Sequence, residues 1–484
     1  MNRPLTEPAA TSDWIGAPLR FPTFRKIWLA SLLANLGLLI QGVGAAWAMT
    51  QMTSSADMIA LVQTSLMLPV MLIAIPAGAI ADMYDRRLVG LAALSIALVG
   101  AATLTLLTLF GLITPHILLV FCFIVGSGMA LFGPSWQASV SEQVPAEALP
   151  SAVALNGISY NIARSFGPAI GGIIVAVAGS VAAFAVNALL YIPLLVVLFF
   201  WKRVQEPSRL PPERLGRAVI SGARYVSNSP AIRIVLGRTL ATGIAGGSIS
   251  ALMPLVARDL LHGGAQTFGI MLGAFGMGAV IGALFTSRIR SLFEGETAVR
   301  ILALVMGIAF AGVALSRWPL LTAASLVVAG AGWTLSVTLY NVGVQLSAPR
   351  WVAGRALAAF QAAIAGGIAL GSWIWGHAAN AFGVQEALLI SAAVMFLSPL
   401  LGLVMRMPPV TERNEEARDI LADPEVKLSL TPRSGPIVVE IEYRVDPTRA
   451  RAFYSLMQEV QLSRQRNGAY GWSIARDIAD PELW

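Results

Sequence analysis

The stretch GAIADMYDRR, Gly78 to Arg87, gathers charge in a chain that otherwise reads as soluble in lipid. Gly78 precedes Asp82 by one helical turn, Asp85 follows, and Arg86 and Arg87 close the run. The stretch holds no nucleophile beside a base, so the chemistry available to it is electrostatic. At the end of an apolar helix, Asp82 would present its charge to the free N–H groups of another helix's first turn, where partial positive charge gathers. Arg86 and Arg87 would hold lipid phosphates or pair with Glu142 or Glu147. A plainer role competes, because basic residues beside a span also fix its orientation.

A second group lies in ARSFGPAIGG, residues 163–172. Gly167, Gly171 and Gly172 would let a helix pack closely, and Pro168 would kink it. Arg164 is costly in lipid and must face a cavity or an acidic partner. The third group is the polar and aromatic side chains inside apolar runs: Asn35, Gln41, Gln63, Trp136, Gln137, Asn156, Tyr160, Asn161, Tyr340, Asn341 and Gln345. They are candidates to line a substrate cavity, although each amide can equally bond a neighbouring helix, so only part of the set is expected to do so. No Asp or Glu falls near the middle of an apolar run, and a proton-coupling carboxylate is not evident.

Several chemistries are excluded. None of Lys26, Lys202 and Lys427 sits in a Gly-Lys-Ser/Thr context, so the chain carries no phosphate-loop motor. His116, His262 and His377 are scattered, and no metal site is expected. No Gly-x-Ser-x-Gly elbow occurs. The glycines of GAFGMGAVIGALF (273–285) lack a preceding strand and read as helix packing rather than a nucleotide loop. Neither an enzymatic activity nor a cofactor is expected. Cys122 is the lone cysteine, so no intrachain disulfide can form.

The elements that position these groups follow from composition. Of 484 residues, 56% are hydrophobic and only 12% charged, and the mean hydropathy is +0.71. A soluble domain carries about twice that share of charge, which makes this a polytopic membrane protein. Twelve helical spans are predicted: Ile27–Met49, Met58–Ala81, Leu88–Phe110, His116–Val140, Ala152–Ala178, Val181–Trp201, Ile232–Val256, Phe268–Ile289, Val299–Ser316, Leu320–Leu346, Ala356–Ala381 and Gln385–Met405. The N-terminus lacks the cleavage site of a signal peptide, so the first run should stay in the bilayer. Arg3, Arg20, Arg25, Lys26, Arg86, Arg87, the basic stretch Lys202 to Arg224, Arg288, Arg290, Arg300, Arg350 and Arg355 fall on one side, against little more than Arg258 and Arg317 on the other. That asymmetry predicts cytoplasmic termini, with the net charge of +7 reflecting orientation rather than nucleic-acid binding.

The loop 202–231 divides the spans into six-helix halves, 27–201 and 232–407, after a cytoplasmic segment 1–26. Its PPERLGRAVISGARYV is basic and amphipathic, suited to a membrane surface. The halves echo one another: Gly78, Asp82 and Arg86 have counterparts in Gly282, Thr286 and Arg290. A linker, 408–436, precedes a soluble extension, 437–484, read as β-α-β: strand IVVEIEY, a helix capped at Asp446, and strand GAYGWSIARD. A compact α/β module wants more strands, so a truncated chain is expected.

GAIADMYDRR resembles the loop signature of the major facilitator superfamily, and ARSFGPAIGG the fifth-helix signature of its export branches. With NLGLLIQGVGAAWAMT, GPSWQASVSEQVP and ALNGISYNIARSFGPAIGG, the pattern resembles the enterobactin-exporter-like branch, the transmembrane secretion effectors. Asp85 departs from the glycine that the broad superfamily prefers, and Thr286 replaces the aspartate in the second half. The resemblance implies an inner-membrane exporter of a siderophore-like or drug-like molecule, working by alternating access and antiport with protons. It implies a gate-side role for Asp82 against the eleventh helix. Its partners would be the bilayer, a small-molecule substrate and protons, and it would act as a monomer. The alternatives are an importer of the same fold, or a membrane-anchored sensor or enzyme that uses the extension.

Overall fold

The computed structural model describes residues 16–202, 215–348, 352–408, 440–466, 469 and 471–484, excluding the side chains of Asp82, Ala146 and positions 215–218. Lipid offers no partners for backbone N–H and C=O groups, so long apolar runs must be helical. The helices are α1 (Pro22–Met52), α2 (Ala56–Met83), α3 (Arg86–Leu109), α4 (Pro115–Ser139), α5 (Leu149–Phe200), α6 (Leu215–Ser227) and α7 (Pro230–Leu255). There follow α8 (Ala265–Leu292), α9 (Gly295–Leu315), α10 (Pro319–Ser347), α11 (Ala353–Phe382), α12 (Val384–Leu397), the short α13 (Leu401–Val404) and α14 (Ala450–Arg466). Among the described residues, eleven helices are long and apolar enough to cross a membrane.

Local chemistry sets their ends. Proline, whose missing N–H is harmless in a first turn, opens α1, α4, α7 and α10. Asp85 caps α3 by accepting from the Arg87 and Leu88 N–H groups. The 52 residues of α5 would reach roughly 78 Å if straight, far beyond the ~30 Å of a bilayer core. Gly179, at φ 76° and ψ 175°, breaks the run in a conformation that a side chain would resist. The break falls between the expected spans Ala152–Ala178 and Val181–Trp201. Near the start of α5, the Trp28 indole N–H of α1 donates to the Leu155 carbonyl, while near its end Arg87 of α3 holds the Leu198 carbonyl. Both ends therefore lie on one face of the bundle, and the chain doubles back at Gly179.

That face, the terminal face, also carries residues 16–21, 84–85, 140–148, 201–202 and 215–229. The distal face carries residues 53–55, 110–114, 256–264 and 316–318. In the first half α1 packs on α5, and α4 on α2 and α3; in the second α7 packs on α11, α8 on α10, and α9 on α10 and α12. The halves meet chiefly through α2 with α11 and α5 with α8, with lesser contacts of α2 on α7 and of α1 on α7 and α8.

The buried apolar residues divide unequally between the faces. Toward the distal face one continuous cluster spans both halves, from Ile40, Met49 and Ile59 to Leu252, Phe268 and Trp375. Toward the terminal face it separates. Ile27, Leu94 and Leu198 belong to a cluster confined to the first half, and Val235, Phe360 and Met407 to one confined to the second.

Part of the basic stretch expected to lie along the membrane forms α6, which packs on α2, α11 and α14. Arg355 donates to the Ser221 hydroxyl at 2.9 Å, and Tyr225 is buried. The expected β-α-β extension takes a different form. Asp446 does cap its helix, accepting from the Thr448 N–H at 2.8 Å. Residues 440–443 form no strand, and among the described residues one antiparallel bridge joins Arg444 to Leu483. GAYGWSIARD is irregular where described; the pairing partner is the segment 482–484, with Tyr443 and Trp484 exchanging both backbone hydrogen bonds. Two short strands without a third gain too little to form a sheet. Residues 409–439, including most of the linker and the start of IVVEIEY, lie outside the described residues.

Candidate functional site

The charged stretch after α2 knits one half together at the terminal face. Arg86 donates to the Glu142 carboxylate and the Ala138 carbonyl, each at 2.8 Å, and to the Ala81 carbonyl at 3.3 Å. One guanidinium thus ties the C-terminal ends of α2 and α4, where free carbonyls carry partial negative charge. Arg87 does the same for α5, donating to the Leu198 carbonyl at 2.9 Å and to that of Phe199. Of the partners expected for this pair, Glu142 is used by Arg86, and Arg87 takes helix-end carbonyls.

The Asp82 side chain lies outside the described groups, but its backbone register is informative. Helices α2 and α11 run antiparallel: the Ala56 N–H bonds the Asn380 side chain, Gly376 packs on Ala60, Gly366 on Met71, and Gly78 faces Ala358. The same register sets position 82 level with Gly354, in the first turn of α11. The cap of that helix, Val352, offers no side-chain acceptor. In the second-half copy, Thr286 bonds the Gly282 carbonyl of its own helix.

The fifth-helix glycines serve two contacts. A Cβ at Gly167 would meet Leu39 at 2.9 Å, and one at Gly171 would stand 3.1 Å from the Ile40 Cα, so both allow α1 to approach α5. Gly172 faces the other half instead, where a Cβ would stand 2.6 Å from the Gly269 Cα of α8. Pro168 is buried within α5. Among the described residues Arg164 has no carboxylate within ion-pair distance; its guanidinium donates to the Thr334 hydroxyl of α10 at 2.7 Å, bridging the halves.

From that bridge two polar rows run toward the terminal face. On α5, Asn156, Tyr160 and Arg164 recur at four-residue spacing, with Asn161 beside them. On α10, Thr334, Thr338, Asn341 and Gln345 share a face, and the Gln345 amide donates to Asn341 at 2.6 Å. Tyr160 is 49% exposed, Gln345 is exposed, and Asn161 and Asn341 are half-buried. The Asn156 side-chain oxygen is buried with no hydrogen-bond partner among the described residues. Both rows lie on the terminal side of the Arg164–Thr334 contact, one in each half. On α4, Gln137 is exposed, while Trp136 stacks on Phe132 with ring centroids 6.1 Å apart. Asn35 and Gln63 are half-buried on α1 and α2.

Two candidates sit elsewhere. Gln41 is fully buried between α1 and α5 and accepts a hydrogen bond from Asn187. Tyr340 is buried against α7, its hydroxyl 3.0 Å from that of Thr242. Each joins helices of a single half, because a polar group inside the bundle is satisfied by the nearest partner.

The distal end of the seam is closed. Trp47 of α1 stacks on Phe268 of α8, and Arg258, in a π-helical turn after α7, donates to the Thr50 carbonyl at 3.2 Å.

Comparison with known proteins agrees with this architecture. The profile of a family described as transmembrane secretion effector matches residues 11–484. This chain belongs to that family of major facilitator transporters. It is 27% identical over 290 residues to the staphyloferrin A transporter of Staphylococcus aureus, covering 59% of this chain and 72% of that one. It is 26% identical over 391 residues to the multidrug efflux pump Tap of Mycolicibacterium fortuitum, covering 78% and 93%. Among solved structures it resembles the nucleoside transporter NupG, with a TM-score of 0.67, 13% identity, and coverage of 79% and 100%. It also resembles a bacterial homologue of the lysosomal transporter Spinster, at a TM-score of 0.63 and 12% identity over 80% and 97%.

In this transporter one buried ion cluster was not singled out by sequence. Arg238 of α7, only 3% exposed, pairs with Glu296 of α9. Glu296 also accepts from Arg300 at 2.7 Å and from the Met407 N–H at 2.9 Å. The cluster fastens α7, α9 and the chain end after α13 at the terminal face. Its only sequence signal is an arginine two turns inside an apolar run, which is expensive there unless paired.

Proposed function

We propose that this major facilitator protein is a twelve-span exporter, with α5 counted as two passes about Gly179, that carries a small amphipathic organic molecule by alternating access. One observation carries the reading. The apolar core is continuous across the halves at the distal face and divided into separate clusters at the terminal face, where the two polar rows lie. The arginine asymmetry assigns the terminal face to the cytoplasm of a bacterial inner membrane, so this arrangement corresponds to a cleft facing inward. Rocking the halves about α2–α11 and α5–α8 would close it and open the distal seam.

The uncharged amides and rings suit an amphipathic substrate, and the names of the staphyloferrin A and Tap relatives favour a siderophore-like or drug-like molecule and outward transport. Antiport with protons by a monomer is the energy source that the family resemblance suggests, with the coupling group unassigned. At position 82, a carboxylate opposite the first turn of α11 would latch the terminal gate when the cleft closes.

Metabolite profiling of cells with and without the protein, followed by vesicle uptake of the compound that changes, tests the reading. Energy-dependent accumulation in inside-out vesicles supports export. Accumulation only in right-side-out vesicles would make the protein an importer, and none in either would point to a sensor.

A further inference from the structure

We propose that the Arg164 guanidinium is an anion receptor at the apex of the inward cleft and restricts the substrate to organic anions, carboxylates or sulfonates above all. The inference deepens the transport reading and rests on it.

Its chemistry is that of an unmatched charge. A guanidinium carries five N–H donors in a rigid fork. Arg164 uses one nitrogen, toward the neutral Thr334 hydroxyl, and makes no other polar contact among the described residues. Elsewhere in the bundle the buried arginine has its counter-charge: Arg238 has Glu296. The remaining Arg164 donors stand half-buried between the halves, beside Tyr160 and where the two polar rows converge. In a membrane interior a lone cation is retained where a functional partner visits it. The planar fork matches a carboxylate in two-pronged fashion. Thr334 comes from the opposite half, so an anion that draws the guanidinium away from it would loosen one bridge between α5 and α10. Occupancy and rocking are thereby linked.

The test reads the field of Arg164 without requiring the substrate. Asn341→Cys, in a full-length Cys122→Ala background, places a thiol two turns from Thr334. Its reaction rates are compared for anionic sulfonatoethyl, cationic trimethylammonioethyl and neutral methyl methanethiosulfonates. Coulomb's law over about 10 Å in a wet cleft gives an anion-to-cation preference of roughly four- to fifteen-fold at low salt. Arg164→Gln should abolish the preference and leave the neutral reagent's rate unchanged, and Arg164→Lys should restore it. Thr334→Ala, which keeps the charge, should retain it. An unchanged ratio in Arg164→Gln overturns the anion receptor while the cleft stands. Failure of the neutral reagent to reach the thiol in the parent protein would overturn the cleft itself, and the transport reading with it.

Discussion

Replacing Gly172 by alanine should shift the balance between the two conformations without unfolding the protein. The added Cβ would stand 2.6 Å from the Gly269 Cα and 2.9 Å from the Ala265 carbonyl oxygen. Both are backbone atoms and cannot rotate aside, so α5 and α8 must separate. Overpacking of this kind costs about 1–3 kcal/mol. The contact joins the halves, so the penalty falls on the distal-closed state and should shift the equilibrium roughly five- to 150-fold. Gly171→Ala makes the control, because its Cβ meets Ile40 and Val43 of α1 inside one half. It should lower thermal stability and leave the equilibrium alone. Spin labels at Ser54→Cys and Gly264→Cys, in the Cys122→Ala background, report the distal separation by electron double resonance. Gly172→Ala should add a longer distance and Gly171→Ala should not. Identical distance distributions for Gly172→Ala and the parent would refute the reasoning.

Asp82→Asn should cripple turnover while expression and insertion persist, because a carboxylate at a helix N-terminus contributes up to about 2 kcal/mol; Thr286→Ala should do far less, and efflux by both variants decides. Glu296→Gln leaves Arg238 buried without its counter-charge and should destabilise the second half by about 3–5 kcal/mol, read as a drop in melting temperature in detergent. Arg300→Gln, whose side chain is 39% exposed, should cost less than about 1 kcal/mol. Removing everything after Met407 should leave an inserted, folded transporter, since the Met407 N–H that bonds Glu296 is kept; loss of insertion would contradict this.

The spans were legible because hydropathy is a local property. So was the cap at Asp446, which bonds two residues onward. Glu142 was identifiable as a partner for Arg86 because it ends the helix on the same face. The destinations of the buried amides were not legible. Gln41 reads the same whether it meets Asn187, far along the chain, or a substrate, and only the packing of α1 on α5 decides. Arg238 and Glu296 were given no role, because their burial and pairing depend on α7 meeting α9. The expected strands of the extension failed for another reason: alternation marks a segment that can pair, while the partner here proved to be 482–484.

Sidedness of access to the cleft tests the inward-facing exporter most directly. A thiol at Asn341→Cys should react with the impermeant anionic reagent in inside-out vesicles. In intact spheroplasts it should stay protected, because Trp47, Phe268 and the Arg258 contact seal the distal seam. Equal reaction from both sides, or reaction only from outside, would contradict a cleft that is open to the cytoplasm and closed to the exterior.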